Sequence, residues 1–285
     1  MIKVIKAGFY STIQDLGRSG FQKYGVPVSG VMDFYSAKLV NALLDNEKNA
    51  ATLEITMTGP TLQFNCNTII CVSGADISPK VNNEPIKLNS LVGIKRNDIV
   101  SFGKLNYGLR CYLAVSRGFQ TEMVMNSKSM YKDITSQTVL IKNDELSIME
   151  YTNTKIKSNA SIKVDTNHFT SKKIEVFKGP EFDLLSKTQQ QQLLSKEFTI
   201  SMDNNRMAYQ LLEALKNNLK PIITSLVLPG TVQLTPSGNL IILMRDCQTS
   251  GGYPRVLQLK ESSINMLSQK LTGNNIRFIM KNNTT

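Results

Sequence analysis

The chain has 285 residues, of which 41% are hydrophobic and 19% are charged. This composition is typical of a globular protein, and it excludes collagen, a coiled coil and a disordered chain. Thirty-three Lys and Arg residues against 22 Asp and Glu residues give a formal net charge of +11, which suits an acidic partner subunit or small anions.

The basic residues are spread along the chain as singletons and pairs. Nucleic-acid binding usually needs a basic cluster interleaved with aromatic residues, so we do not expect that class of partner. The N-terminus lacks the apolar region of a signal peptide, and no stretch approaches the ~18 apolar residues that span a bilayer. We therefore expect a cytoplasmic protein without a membrane partner.

Ten short apolar segments, separated by Gly, Pro, Asn and Ser, are predicted to be strands. They are residues 3–7, 52–57, 61–64, 68–73, 98–102, 110–115, 173–177, 230–234, 240–244 and 276–280. The pair Asn82-Asn83 predicts a hairpin after the fourth of them. This pattern predicts a mainly β fold with a few helices (α+β), built as barrels or sandwiches.

Three segments have helical periodicity instead. Asp33 is a predicted N-cap for a helix over residues 34–44, and Pro180 occupies the first turn of a helix through Leu194. A third helix is predicted to begin at Asp203 or Asn204. Its buried stripe comprises Met207, Leu211, Leu212 and Leu215.

Residues 152–170 are polar and rich in Asn, Ser and Lys, which is typical of a domain boundary. We therefore predict an N-terminal domain over residues 1–155, a linker over 156–171 and a C-terminal domain over 172–285. The segments Met57-Thr-Gly-Pro60 and Phe177-Lys-Gly-Pro180 are weakly similar, which is consistent either with two related halves or with chance.

His168 is the only histidine, and it lies in a polar stretch. A Ser-His-Asp or Cys-His mechanism, or a His-based zinc site, would have to use it, so these classes are disfavoured and no metal ligands are assigned. The cysteines are expected to be free buried thiols rather than a metal site or disulfide. They are Cys66, Cys71, Cys111 and Cys247.

The first candidate site lies in a glycine-punctuated loop that carries Gln14, Asp15 and Arg18, followed by Asp33. Arginine binds a planar carboxylate or phosphate through two hydrogen bonds, and an aspartate accepts or relays a proton. The alternative is a turn in which Asp15 accepts backbone amides and pairs with Arg18 on the surface.

The second candidate site follows the predicted strand 240–244. Its two adjacent glycines allow the backbone to approach a ligand and present amide donors to an anion, and the alternative is an ordinary tight turn under Tyr253. Gln233 lies on the preceding strand. The loop residues are Arg245, Asp246, Gln248, Thr249, Gly251, Gly252 and Tyr253.

Arg206 lies near the start of the predicted third helix, where a helix N-terminus and an arginine together bind an anion. The alternative is a solvated arginine at a helix end. Neither a phosphate-binding GxxxxGK[ST] loop nor a GxGxxG fingerprint is present.

Several motifs in order resemble the allophanate hydrolase subunit 2, or Kip antagonist, family. Its members are also described as biotin-dependent carboxyltransferase-family proteins or as the C subunit of 5-oxoprolinase. The resemblance covers about residues 2–278. The motifs are TIQDLGRSGFQKYGVPVSGVMD, LEITMTGPTLQF, SGAD, RCYLAVSRGF, NRMAYQLL, LPGTVQLTPSG and RDCQTSGGYP.

This resemblance implies two cyclophilin-like β-barrel domains in tandem. It also implies two partners, a subunit 1 or Kip-inhibitor-like protein and a LamB/YcsF-type third subunit, which together open 5-oxoproline to L-glutamate with ATP and a divalent cation. Residue chemistry then suggests that Arg18, Arg206 or Arg245 neutralises a small anionic substrate. Asp15 or Asp246 would orient water or a metal-bound nucleotide.

Two other functions remain open. One is a carboxyltransferase-type subunit acting on urea or amide nitrogen, which needs a separate biotin carrier because this chain has no Met-Lys-Met context for attached biotin. The other is a non-catalytic antagonist of a Kip-inhibitor-like protein. Departures from the family pattern are Arg117 in place of a glycine, and Ala208 and Gln210 in place of Gly and Arg.

Overall fold

A computed structural model describes residues 1–151, 162 and 164–281. The chain divides into two compact units. The first unit comprises Met1–Arg18 and Asp33–Thr166, and the second comprises Ser19–Met32 and Asn167–Thr285. The predicted linker, residues 156–171, lies partly outside the described residues. The early segment Ser19–Met32 belongs to the second unit, which a single boundary in the middle of the sequence does not anticipate.

The first unit is built from two sheets. One has the strand order β11-β1-β4-β9-β6-β7 and the other β2-β3-β10-β5-β8. The strands are β1 (Ile2–Lys6), β2 (Tyr10–Gln14), β3 (Thr52–Thr56), β4 (Thr61–Phe64), β5 (Thr68–Asp76), β6 (Lys80–Val81), β7 (Glu84–Pro85), β8 (Leu91–Ile94), β9 (Ile99–Ser101), β10 (Tyr107–Val115) and β11 (Glu145–Leu146). Apolar residues from both sheets form one core, which includes Val4 and Leu62 of the first sheet and Leu113 of the second.

Helix α1 (Phe34–Leu43) packs on β5 and β10 of the first unit. The Asp33 carboxylate accepts hydrogen bonds from the backbone N–H groups of Tyr35 and Ser36, at 3.0 and 3.2 Å, and from the Ser36 hydroxyl at 2.7 Å. These bonds satisfy donors that have no partner within the helix. The predicted N-cap and helix are therefore confirmed.

The second unit contains a closed barrel with the strand order β12-β19-β16-β17-β14-β13-β20. β12 and β20 pair in parallel, whereas the other barrel neighbours are antiparallel. The elements of this unit are α2 (Asn167–Thr170), β12 (Lys173–Lys178), α3 (Lys187–Ser195), β13 (Phe198–Asn204), β14 (Ala208–Leu211), β15 (Ser225–Leu226), β16 (Thr231–Leu234), β17 (Leu240–Leu243), β18 (Ser250–Gly251), β19 (Arg255–Leu259), α4 (Glu261–Leu267) and β20 (Asn275–Met280), with 3-10 turns at Gln22–Tyr24 and Phe182–Leu184.

The predicted mainly β fold is confirmed. Each of the ten predicted strands overlaps an observed one. The predicted hairpin is β6–β7, whose turn residues Asn82 and Asn83 have φ values of 49° and 71°. Asparagine tolerates this left-handed conformation better than most residues, which explains the sequence signal.

The predicted helix from Asp203 or Asn204 is wrong. The segment instead forms the end of β13, a turn, and β14. Leu211 is buried, whereas its neighbour Leu212 is exposed. This alternation between neighbours is the two-residue period of a strand, and it outweighs the helical spacing of the apolar residues.

The predicted helix over residues 180–194 is shorter than expected. It is a 3-10 turn followed by α3, which begins after Ser186. The Ser186 hydroxyl accepts from the Gln189 N–H, and the Gln189 side chain accepts from the Ser186 N–H. This reciprocal capping box fixes the N-cap of α3 six residues after Pro180.

The cysteines are free, and Cys71, Cys111 and Cys247 are buried. Burial raises the pKa of the Cys71 and Cys247 thiols to about 12, so both are protonated at neutral pH and are poor nucleophiles. Within the part of the chain that the structure describes, no helix has the length and apolar character of a membrane-spanning segment.

Candidate functional site

The Asp15 carboxylate lies at the end of β2 in the first unit and is almost completely buried. It accepts four hydrogen bonds, all from neutral groups: the backbone N–H of Gly17 (2.8 Å) and Lys128 (2.7 Å) and the hydroxyls of Ser127 (2.6 Å) and Ser129 (2.7 Å). These bonds hold segment 127–129 against the β2 end. The arrangement favours a positioning role for Asp15 over proton transfer.

Gln14 and Arg18 hold the same segment. The Gln14 Nε2 group donates to the Met130 carbonyl at 3.0 Å, and an Arg18 guanidinium nitrogen donates to the Ser129 carbonyl. Both side chains are fully buried, so Arg18 is not the surface partner that the alternative interpretation required. Asp33, in the same unit, serves as the cap of α1.

Next to Asp15 lies a cleft of about 440 Å³. The loop between α1 and β3 forms part of its lining, and the turn after β10 forms another part. We call it the first-unit cleft and define it by Asp15, Asp45, Glu47, Arg117, Phe119 and Lys128.

In the second unit, Asp246, whose side chain is 13% exposed, forms an ion pair with the buried Arg206. The Arg206 Nε atom lies 2.7 Å from one Asp246 oxygen, and an Nη atom lies 3.0 Å from the other. The Ser29 hydroxyl donates to Asp246 at 2.7 Å, and Arg206 also donates to the Gly30 carbonyl at 2.6 Å. A segment near the start of the chain therefore contacts the loop after β17, which we call the late loop, within this unit. The contact is made by Ser29 rather than by Arg18.

Arg206 lies in the turn between β13 and β14, so its predicted place at a helix N-terminus is wrong. Its guanidinium is engaged by Asp246 and the Gly30 carbonyl. Because these contacts are buried, Arg206 acts as an internal brace between loops.

Arg245 points its charge toward α4. Its guanidinium pairs with Glu261 in the first turn of α4, and it donates to the Asn265 side chain at 3.0 Å. The arginine side chain is only 5% exposed. Arg245 therefore ties the end of β17 to α4, and only the later loop residues, 248–253, lie nearer the surface.

Those residues form the glycine loop, residues 248–253. Its strand β18 pairs with β15, and Gly251 lies directly over Gln233, whose side chain is buried. A Cβ atom at Gly251 would lie 2.4 Å from Gln233 Nε2, whereas one at Gly252 would be 3.6 Å from its nearest neighbour, the Ile222 carbonyl. Glycine at 251 therefore lets the loop pack closely over Gln233.

The ligand-accessible part of this loop is Gln248, Thr249 and Tyr253. Gln248 and Thr249 are partly buried, and Tyr253 is exposed. No side-chain hydrogen bond of Gln248 is present within the described part of the chain. Its amide is thus available to a ligand or to another subunit.

Sequence reasoning missed the groups that hold the two aspartates. Ser127 lies 112 residues from Asp15, and Ser29 lies 217 residues from Asp246. The only local signal is Ser127-Lys-Ser129, in which alternate hydroxyls share one side of an extended segment. That pattern does not identify its partner.

The pattern of the family described as "Carboxyltransferase domain, subdomain A and B" matches residues 24–280. The chain belongs to this family. The predicted resemblance is therefore confirmed, since biotin-dependent carboxyltransferase is one of the descriptions of that family. The match includes the late loop with Asp246 and also the Ser29 segment that contacts it.

The chain is 28% identical over 285 residues to the C subunit of 5-oxoprolinase from Escherichia coli (strain K12), a match that covers 98% of this chain and 91% of that protein. Among solved structures, TTHA0988 has a TM-score of 0.87 at 23% identity, and this likeness shows the fold alone. The K. lactis urea amidolyase has a TM-score of 0.85 at 25% identity.

Both structural matches cover 98% of this chain but only part of the other protein. The chain spans 55% of the TTHA0988 chain and 18% of the urea amidolyase chain. The family fold is therefore found both as a nearly full-length subunit and as a segment of longer proteins.

The described residues do not form a metal-ion cluster of their own. No group of three His, Cys, Asp or Glu side chains able to hold a metal ion occurs among them. Asp15 has its oxygens engaged by four donors, and Asp246 is paired with Arg206. We assign no catalytic step on this chain to a nucleotide or its cation.

Proposed function

We propose that this chain is the C subunit of an ATP-dependent 5-oxoprolinase, which opens the cyclic amide of 5-oxoproline to give L-glutamate. The observation that carries the proposal is the collinear similarity to the E. coli protein over 98% of this chain and 91% of that one. Matches of this length relate whole subunits rather than one shared motif.

We propose that the activity belongs to a complex. The partners are a subunit 1 or Kip-inhibitor-like protein and a LamB/YcsF-type third subunit, and ATP with its divalent cation binds at the level of that complex. The net charge of +11 supports an acidic surface on one partner. The engaged state of Asp15, Arg206 and Asp246 supports placing the nucleotide site on another subunit.

The role of this chain is then to bind and orient the small anionic substrate. The glycine loop supports this role because it offers the Gln248 amide and the Thr249 hydroxyl beside closely packed backbone. Amide and hydroxyl donors stabilise negative charge on an amide oxygen as the ring opens. Asp246 and Arg206 position this loop from beneath and do not contact the substrate.

Reconstitution tests the proposal. The purified chain is mixed with both partner subunits, ATP, Mg²⁺ and 5-oxoproline, and glutamate and ADP are measured. We expect both products to form, and we expect glutamate formation to stop when this chain is omitted. Tight association without turnover would support the antagonist function instead.

A pair of variants locates the contribution of the glycine loop. Gln248→Ala should lower turnover about tenfold, which corresponds to one lost hydrogen bond in the transition state, and its melting temperature should not change. Gln191→Ala is the control because Gln191 is exposed on α3. Equal turnover in the two variants contradicts a substrate role for the loop.

The similarity to the K. lactis urea amidolyase supports a second candidate. In it, the chain is a carboxyltransferase-type subunit that acts on urea or amide nitrogen, and a separate protein carries the biotin. Co-purification of a biotinylated protein, with bicarbonate-dependent ATP hydrolysis, favours this candidate. Glutamate formation without a biotinylated protein excludes it.

A further inference from the structure

The first-unit cleft carries charges of both signs that are not paired with each other. Asp45 and Glu47 come from the loop between α1 and β3, whereas Arg117 and Lys128 come from two other segments. Within residues 1–151, 162 and 164–281, none of these four side chains forms an ion pair. Charged groups that line one cleft without pairing are available to a ligand.

Lys128 is held in place by neutral groups. Its ammonium donates to the Phe119 carbonyl at 2.8 Å and to the Gln120 side-chain oxygen at 3.4 Å. Its backbone N–H is one of the donors to Asp15. The ammonium is partly buried, so a carboxylate beside it interacts in a less screened environment than at an open surface.

Arg117 occupies a backbone position that favours glycine. The Gly118 N–H donates to the Val115 carbonyl at 2.9 Å, so Arg117 is the third residue of a four-residue turn, and its φ is +66°. Glycine or asparagine is the usual residue at a turn position with positive φ. The turn is fixed by Asn46, which accepts from the Arg117 N–H, and by Gln120, which donates to the Arg117 carbonyl.

The strained backbone presents a cation at the cleft. The Arg117 side chain is exposed, and its guanidinium carbon lies 6.0 Å from the centre of the Tyr151 ring. Strained non-glycine residues persist where the surrounding structure holds them, and they concentrate at ligand sites. A glycine would relieve the strain, so the presence of arginine is explained by what its side chain does.

We propose that the first-unit cleft binds a small zwitterion, an α-amino acid, and that Arg117 determines this specificity. Arg117 and Lys128 bind the carboxylate, and Asp45 and Glu47 bind the ammonium. Met123 and Met149, which line the cleft and are exposed, contact an uncharged side chain. A volume of about 440 Å³ is within the range of small-molecule sites. The inference concerns binding to this chain alone and is independent of the proposed enzyme activity.

Titration calorimetry on the full chain tests the ligand class. The probes are L-methionine, L-leucine, L-glutamine and L-glutamate, followed by the N-acetyl and carboxamide derivatives of the tightest binder. We expect saturable binding of at least one amino acid, and about tenfold weaker binding of each derivative because each loses one charge. Absence of saturable binding, or equal binding of the derivatives, overturns the proposal.

Variants at position 117 separate a binding role from a structural one. Arg117→Gly should raise the melting temperature by about 2 °C, because it relieves strain, and should weaken amino-acid binding about tenfold. Arg117→Lys should retain most of the affinity. Arg96→Gln, at an exposed loop position, removes one positive charge elsewhere and should change neither quantity.

Two results would overturn the assignment to Arg117. The first is unchanged amino-acid binding in Arg117→Gly. The second is a melting temperature that falls together with affinity, which is the behaviour of a residue needed only for folding. Asp45→Asn provides an independent check, since asparagine tolerates the φ of 54° at that position. This substitution should weaken binding of the amino acid more than binding of its N-acetyl derivative.

Discussion

Asp15 in the first unit is buried and Asp246 in the second is mostly buried; both follow a strand, yet they are held differently. Asp15 is surrounded by four neutral donors, and Asp246 is paired with a cation and one hydroxyl. One anion is stabilised by dipoles, the other by an opposite charge. Their environments therefore predict different costs when the charge is removed, although the residue type is the same.

The largest effect is expected at Asp246. Asp246→Asn removes the carboxylate that pairs with the buried Arg206 guanidinium, and removal of one partner from a buried pair costs about 3 to 5 kcal/mol. Urea unfolding of the variant should show a loss of this size. A loss below about 1 kcal/mol would mean that solvent reaches Arg206 and screens its charge.

The double variant Arg206→Met with Asp246→Leu sharpens this test. It removes both charges and replaces them with apolar groups of similar size, so much of the lost stability should return. If the double variant is less stable than Asp246→Asn, the contacts of Arg206 with Gly30 and Ser29 matter more than the pair itself.

A smaller effect is expected at Asp15. Asp15→Asn breaks no hydrogen bond from a charged donor, since the four donors to Asp15 are neutral, but its NH₂ group replaces one acceptor oxygen and faces a donor. An unsatisfied buried donor costs about 1 to 3 kcal/mol, measured by the same urea titration. Asp203→Asn, at an exposed position without a side-chain partner in the described chain, is the control and should change stability by less than about 0.5 kcal/mol. A loss equal to that of Asp246→Asn contradicts the distinction between the two sites.

The smallest effects are expected in the glycine loop, where two adjacent glycines should respond differently. Gly251→Ala places a Cβ atom 2.4 Å from Gln233 Nε2, so the loop or the amide must shift. Because this amide is the end of a flexible side chain, we expect a cost of about 1 kcal/mol, at the lower end for overpacking. Gly252→Ala has room, since its nearest neighbour is 3.6 Å away. Thermal unfolding that shows equal losses in the two variants would contradict this packing.

Much of the fold was predictable because it depends on local rules. Short apolar segments separated by Gly, Pro, Asn and Ser identified ten strands, and Asp33 before an apolar stripe identified α1. The segment after Asn204 failed because its leucines fit a helical period as well as a strand period, and only pairing with β17 decides between them.

The candidate site was predictable in part. Adjacent charged residues and glycines marked Arg245, Asp246 and Gly251, but their partners lie far away in sequence. Arg245 turns to Glu261 while its neighbour Asp246 turns to Arg206. The partner with which a charged side chain pairs depends on strand register and on the path of the loop. Neither of these is visible as a local pattern in one sequence.

The early segment Ser19–Met32 has a consequence for how the chain is made. Met32 is completely buried in the core of the second unit, and Ser29 contacts its late loop. During ribosomal synthesis this segment emerges long before β12 to β20 are made, so its contacts with the second unit form only after those strands have been synthesised. A gene cut between the two halves would produce a C-terminal fragment without Met32, which regains this core residue only when residues 19–32 are supplied as a separate peptide.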